Sequence, residues 1–316
     1  MDFKARLQSG APILMEGALG ERLKREYGLS IDGAVAMASL VYDARGRAAL
    51  AQLWGQYAAV ARAHHLSLLV TTPTRRANRA RVAQSPWDEA IIGDNVRFLR
   101  GVQRQNGADM YVGGLMGCAG DAYTGAGALS APEARCFHAW QAQLFREASA
   151  DFLFAGIMPT LPEALGMAQA MSDAKLPAII SFTIRGNGRL IDGTPIDEAI
   201  RIIDAETENP PACYMTNCVH PRILQQALNM PFNRTRRLRE RFLGIQANTS
   251  PLPYDALDGA ADLHTTPPEA LAQDMRRLRL TCGLRIFGGC CGADHRHIEA
   301  IARFLDPSDS AGPRDG

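Results

Sequence analysis

The feature that most constrains this chain is an alternation. Eight short apolar or β-branched runs, each bounded by turn residues, are separated by longer stretches of helical period. The runs are Pro12 to Met15, Ser67 to Thr72, Met110 to Gly114, Phe152 to Ala155, Ala178 to Phe182, Ala212 to Thr216, Phe242 to Gln246 and Leu284 to Phe287. Helices are predicted over Arg45 to His65, Trp87 to Gln105, Pro132 to Ala150, Pro162 to Lys175, Pro195 to Asp204, Arg222 to Leu228, Pro268 to Thr281 and Asp294 to Leu305. Thr194 is placed to cap the fifth of these ahead of Pro195, and Asp294 to cap the last. Strand–helix alternation builds a parallel sheet, and eight units can close it. The expected fold is therefore α/β, a single-domain (β/α)8 TIM barrel over residues 1–305, with an open doubly wound sheet as the competing arrangement. Residues 306–316, rich in Asp, Pro, Ser and Gly, are expected to form a disordered tail.

Charge removes whole classes of function. With 34 Lys plus Arg against 33 Asp plus Glu, no overall field gathers nucleic acid or anionic lipid. The run Asn233 to Arg241 carries five arginines without interleaved aromatics and reads as a solvated helix face rather than a nucleic-acid patch. The longest apolar stretches fall far short of the ~20 residues that span a bilayer. Ala11 to Met15 is too short for the ~7 to 15 residue core of a secretory signal, so a cytoplasmic protein is expected. Seven cysteines at irregular spacing in a reducing compartment do not read as a disulfide framework.

Their positions ask for another explanation, and Gly288-Gly289-Cys290-Cys291-Gly292 supplies it. Adjacent cysteines are poor disulfide partners for each other, whereas flanking glycines let the backbone bend until both sulfurs point at one centre. The pair follows the eighth strand, and Asn217-Cys218 ends the sixth, on the same rim of a barrel. Three thiolates, Cys218, Cys290 and Cys291, would bind Zn²⁺ and leave its fourth tetrahedral position open, the mark of a catalytic rather than a structural site. Cys118, Cys136, Cys213 and Cys282 are expected to pack as small hydrophobes. His220, His295 and His297 lie at or just before helix starts near the thiolates and are assigned non-ligand roles.

With these residues in place, the chain resembles the homocysteine S-methyltransferase family, zinc-dependent thiol methyltransferases built on a (β/α)8 barrel. The similarity extends from about Pro12 to Arg303. Its markers, in order, are Met15-Glu16-Gly17-Ala18-Leu19-Gly20, Gly120-Asp121-Ala122-Tyr123-Thr124-Gly125, Ser181-Phe182-Thr183, Asp192-Gly193-Thr194-Pro195, Asn217-Cys218, Gln246-Ala247-Asn248-Thr249 and Gly288-Gly289-Cys290-Cys291 with His297-Ile298. The resemblance implies methyl transfer from a sulfonium, quaternary ammonium or methyl-folate type donor to a small-molecule thiol, normally homocysteine, to give methionine. It also implies that Glu16 receives the acceptor's amino group and that the N–H groups of Gly17 and Ala18 hold its carboxylate. Thr72, Arg76, Ser181, Asn217 and Asn248 complete the expected substrate-binding set.

Two positions depart from the family pattern. Gly156 stands where the strand-four motif carries a glutamate that also binds the amino group, a charge-assisted contact of about 1.5 to 3 kcal/mol. Arg76 stands where betaine-using members place a cage aromatic, and a guanidinium repels an onium head while attracting a carboxylate or phosphate. The competing reading is that Arg75 and Arg76 both point to solvent. A non-catalytic barrel that binds a thiol or metabolite, and a zinc hydrolase, are the alternatives. The second lacks a general base in the Asn217 and Gly289 segments. The sequence specifies no oligomeric state.

Overall fold

Eight parallel strands pair in chain order and close on themselves in the computed structural model, which describes residues 1–252 and 265–306. They are β1 Ile13–Met15, β2 Ser67–Thr71, β3 Met110–Gly117, β4 Phe152–Met158, β5 Ala178–Phe182, β6 Cys213–Val219, β7 Phe242–Ala247 and β8 Ile286–Gly289. Closure is made by β1 against β8, with Ile13 opposite Ile286 and Leu14 opposite Phe287. The fold is the (β/α)8 barrel expected from the alternation, and the open sheet is excluded.

Side chains alternate across the wall, as the two-residue period of a strand requires. Ile13, Met15, Leu69, Phe154, Ile179 and Met215 fill the interior, while Leu14, Leu68, Val70, Leu153 and Ile180 join the larger outer cluster beneath the helices. An N-terminal helix, Phe3–Gln8, sends Phe3 and Leu7 into the interior cluster. Phe3 stacks on Phe152 at 4.6 Å, where β4 begins, so this helix plugs the N-terminal end of the barrel. The C-terminal end is left as the mouth.

Three strands extend three residues beyond the expected boundaries: β3 to Gly117, β4 to Met158 and β6 to Val219. Two glycines within β3 serve packing. A Cβ on Gly113 would lie 2.4 Å from the Phe152 ring, and one on Gly114 would lie 2.4 Å from Phe145, so bare backbone lets an aromatic ring sit on each face of the strand. Strand length matters here because Gly156 and Cys218 thereby fall inside β4 and β6 rather than in loops.

Helix starts partly follow expectation. Asp294 caps the last helix, His295–Leu305, through the N–H groups of Arg296 and His297. Pro195, not Thr194, occupies the N-cap of Ile196–Ala205 and offers no side-chain bond there. The arginine-rich run forms the short helix Arg236–Arg241, as a surface face, with Arg236 on Glu240, Arg237 on Asp197 and Arg241 on Asp204. The tail assigned to 306–316 lies outside the described residues beyond Asp306. Among the described residues no helix is long and apolar enough to cross a membrane.

Candidate metal centre at the barrel mouth

Two irregularities in the barrel wall shape the site. The β4–β5 register shifts between Ala155 and Met158, and the β6–β7 register between Asn217 and Val219. At each shift one residue without glycine's freedom sits in the left-handed region, Ile157 at φ 49° and Cys218 at φ 61°. Such a conformation costs roughly 1 to 2 kcal/mol for a residue bearing a Cβ, and bulges at barrel rims re-aim side chains. Asn217 holds both irregularities. Its Oδ1 accepts from Ile157 N–H at 3.0 Å, across the intervening β5, and from Ser181 Oγ on β5 at 2.6 Å. The aimed Cys218 packs against Ile157 and Ala122, with Cys118, Tyr123 and Cys290 at the edge of the same cluster.

The second arm comes from the end of β8. Cys290 N–H donates to Ala247 O at 2.7 Å, and the Cys291 carbonyl accepts from Thr249 N–H at 3.1 Å, tying the cysteine pair to β7. Gly292, at φ 79°, turns the chain, and a Cβ there would lie 2.0 Å from Thr249 Oγ1. Three sulfurs consequently meet: one sulfur each from Cys218, Cys290 and Cys291, all within 4.8 Å of one another. Cys291 Sγ lies 3.9 Å from Cys218 Sγ and 4.0 Å from Cys290 Sγ.

Cys218 and Cys290 are joined as a disulfide, which corrects the expectation of free thiols throughout. A tetrahedral zinc site with Zn–S bonds of ~2.3 Å has sulfur–sulfur edges of ~3.8 Å. The two Cys291 separations fit those edges, and the third requires the disulfide to be reduced. Once that bond is reduced, the donor set suits a thiophilic metal. Burial and the charge of Glu21 push the Cys291 thiol above its ordinary value, while Arg75 pulls it down. Cys118 lies nearby, but burial pushes its thiol up to about 11.

The histidines take other duties. His220 caps Pro221–Leu228, with Nδ1 accepting from Arg222 N–H, and burial lowers it to about 4. His297 faces Asp294 through Nδ1 and the Thr266 carbonyl through Nε2, and His295 is exposed. Of the cysteines expected to pack as hydrophobes, Cys213 is buried inside the barrel and Cys118 and Cys282 are half-buried. Cys136 is exposed, contrary to expectation.

The expected substrate-binding residues are mostly engaged by the protein itself. Glu16 is buried; its Oε1 accepts from Thr71 N–H and Oγ1 at 2.9 and 2.6 Å, and its Oε2 from Trp54 Nε1 at 2.6 Å. It lies just past the end of β1, and its carboxylate bridges the end of β2 and Trp54 of the helix Ala44–Ala63. Burial raises its carboxyl to about 7, against the lowering effect of the Thr71 and Trp54 hydrogen bonds. Ala18 N–H donates to the Ala293 carbonyl, so half of the nest expected from Gly17 and Ala18 is occupied. Thr72 accepts from Leu115 N–H and pairs with Thr74, Ser181 is spent on Asn217, and Asn248 accepts from Ser250 N–H. Arg76 is exposed at the rim.

Two contributors escaped the sequence reading, and a third, Arg75, was noted there without an assigned role. Glu163, in the first turn of Leu161–Asp173, accepts from Ala119 N–H at 2.6 Å and anchors the loop after β3. Its place three residues after Thr160 was the available signal. Leu115 fills the space beside Gly156: a Cβ there would lie 3.0 Å from Leu115 Cδ1. Arg75 lines a cleft with Cys118 and Tyr123, its stem lying against Gly117 at the end of β3, and its charge favours the thiolate forms of Cys118 and Cys291. Nothing local in the sequence distinguishes it from Arg76.

Fold and site together define a (β/α)8 barrel with a three-cysteine centre open at its C-terminal mouth. The sequence profile of the homocysteine S-methyltransferase family matches residues 13–305, and the chain belongs to that family. Over 180 residues it is 28% identical to betaine–homocysteine S-methyltransferase 1 of Bos taurus, covering 53% of this chain and 42% of that one. It is 26% identical over 182 residues to an S-methylmethionine–homocysteine S-methyltransferase of Pongo abelii, covering 53% and 48%. The matched region spans less than half the length of these relatives. The metallated form of the homocysteine methyltransferase MmuM from Escherichia coli superposes with a TM-score of 0.74 at 20% identity, over 95% of this chain and 98% of that one.

Proposed function

We propose that this chain transfers a methyl group from an onium-type donor to the thiol of homocysteine or a related small thiol, forming methionine or its counterpart, with Zn²⁺ held by reduced Cys218, Cys290 and Cys291. The observation that carries the reading is the convergence of three sulfurs from β6 and β8 at the mouth. Zinc bound there lowers the pKa of an incoming thiol and keeps its sulfur electron-rich. In the transfer, the acceptor sulfur gives up its proton and forms a bond to the methyl carbon. The bond from that carbon to the onium atom breaks with its electron pair, and the donor leaves neutral.

The chain's own residues supply placement. Asn217 and Ser181 fix the β4 and β6 irregularities and so fix the direction of Cys218. Ile157, Ala122 and Tyr123 form an apolar wall over that sulfur, which keeps water from competing for the methyl group. Glu16 and Thr72, in this arrangement, brace strand ends and position the rim. A reducing cytoplasmic setting is the one in which the cluster stays available for metal.

A second reading, a barrel that binds a thiol or metabolite without turnover, draws on Gly156 and Leu115, which make the β3–β4 side of the mouth apolar where an amino group would otherwise be held. One experiment separates the two. Reduced protein is assayed for zinc content and for methyl transfer from a panel of sulfonium and quaternary ammonium donors to several thiols, with product detected by mass. About one zinc per chain and a methylated thiol are expected, and both are lost in Cys218→Ala, Cys290→Ala and Cys291→Ala while circular dichroism is unchanged. Full zinc occupancy in the Cys290→Ala, Cys291→Ala double variant refutes the ligand assignment; zinc without any methylated product supports the binding barrel.

A further inference from the structure

Two clefts meet beside the cysteine cluster, on the β2 side of the mouth. One, of about 180 Å³, lies between Arg75, Arg76, Arg81 and the loop from Gly117 to Tyr123. The other, of about 300 Å³, lies between the same three arginines and the segment from Ile31 to Met37, with Lys24 at its edge. Four cations therefore face this space, against two carboxylates. Asp32 is already paired with Lys24 at 3.0 Å. Asp121 Oδ1 is taken by the N–H groups of Tyr123 and Thr124 and by Thr124 Oγ1.

The arginines themselves have little internal employment. Arg81 Nη1 reaches the Ala34 carbonyl at 3.3 Å, and among the described residues no carboxylate makes an ion pair with Arg75, Arg76 or Arg81. Like charges held together without counter-charges repel, and that repulsion is relieved when an anion enters. The fold makes specific room for the arrangement. A Cβ on Gly117, the last residue of β3, would lie 2.6 Å from Arg75 Cγ and 2.9 Å from Arg75 O, so the Arg75 stem lies across bare backbone at the strand end. Partial burial and the charges of Arg81 and Arg75 hold the Arg76 guanidinium below its ordinary value, with Cys118 and Asp121 opposing, as expected for a crowded cationic wall.

We propose that Arg75, Arg76 and Arg81 form an anion-binding subsite next to the cysteine centre, taking the carboxylate or phosphate of one of the two substrates. Guanidinium forks match both anions in bidentate geometry, and their charge repels a bare onium head. A substrate that fits therefore carries its anionic group away from the reacting sulfur or methyl. The identification of the ligand as a substrate rests on the proposed methyl transfer; the anion site does not.

The test uses the full chain and inorganic phosphate as probe, with binding followed by titration calorimetry at low salt. Phosphate binding is expected for the unmodified protein. It should weaken at least tenfold in Arg75→Ala, Arg76→Ala, be partly retained in Arg75→Lys, Arg76→Lys, and be unchanged in Arg236→Ala, a distant surface control. No phosphate binding by the unmodified protein, or equal binding by the alanine double variant, overturns the site. Kinetics then identify the source of the anion: the alanine variant raises the KM of the donor or of the acceptor by a similar factor. Loss of phosphate binding with neither KM changed overturns the substrate role. Because the titration needs no turnover, absence of methyl transfer leaves the anion result readable.

Discussion

Asn217→Ala is the perturbation that most directly probes how this barrel aims its sulfur. The substitution deletes one acceptor atom that serves two buried donors, Ser181 Oγ at 2.6 Å and Ile157 N–H at 3.0 Å. A buried donor left unpaired costs about 1 to 3 kcal/mol, with the rotatable serine hydroxyl at the low end, so the pair costs about 2 to 4 kcal/mol. Unfolding entropy of about 2.1 cal/mol/K per residue over some 300 residues makes this a fall in Tm of about 3 to 6 °C. Alternatively the wall relaxes: Cys218 leaves its left-handed conformation, recovering about 1 to 2 kcal/mol while swinging its sulfur off the cluster. Both routes are expected to weaken binding of the proposed zinc, by at least tenfold in a chelator competition. Adding Ser181→Ala to Asn217→Ala removes one orphaned donor and should recover about 1 kcal/mol. An Asn217→Ala protein with Tm within 1 °C of the parent and unchanged zinc affinity would refute the reasoning.

Three further outcomes are expected. Glu16 has its carboxyl raised from an ordinary 4.5 to about 7, so the folded state binds the extra proton and stability falls as pH rises through 4.5 to 7, by at most about 3 kcal/mol. The difference in Tm between the parent and Glu16→Gln should therefore change across this window and level off above it; a constant difference from pH 4.5 to 8 contradicts the raised value. Gly156→Glu alone places its Cβ 3.0 Å from Leu115 Cδ1 and should impair the acceptor site, whereas Gly156→Glu with Leu115→Ala should lower the KM of an amino-bearing thiol; equal kinetics in both proteins would show that Leu115 is not the obstacle. Glu163→Ala removes the acceptor of Ala119 N–H and the partner of buried His138, and should cost about 2 to 3 kcal/mol by urea unfolding, with increased hydrogen exchange in the loop after β3.

How far the chain could be read before folding is seen residue by residue. The alternation of period-two and period-3.6 segments is local, and eight such units leave few ways to bury all their apolar faces, so the barrel was legible. The Cys290-Cys291 pair was equally legible, because glycines on either side announce a backbone that bends. Glu16 was legible as a residue at the end of the first strand, but its partners Thr71 and Trp54 were not, since they lie 55 and 38 residues away in the sequence. The ends of β3, β4 and β6 were placed three residues short, and for β4 and β6 the added residues include the register shifts around Ile157 and Cys218, which depend on neighbouring strands.

The chain alone determined that a barrel forms and that three cysteines stand at strand ends on one rim. Tertiary structure decided that they meet. No local signal places Cys218 at φ 61°, since an isolated cysteine loses about 1 to 2 kcal/mol there. The conformation persists only because Asn217, Ser181 and Ile157 are brought together across three strands, where leaving their donors unpaired would cost more. The same holds for Arg75, indistinguishable from its neighbour as a letter, whose stem lies across the end of β3 because Gly117, 42 positions on in the sequence, presents no side chain beneath it.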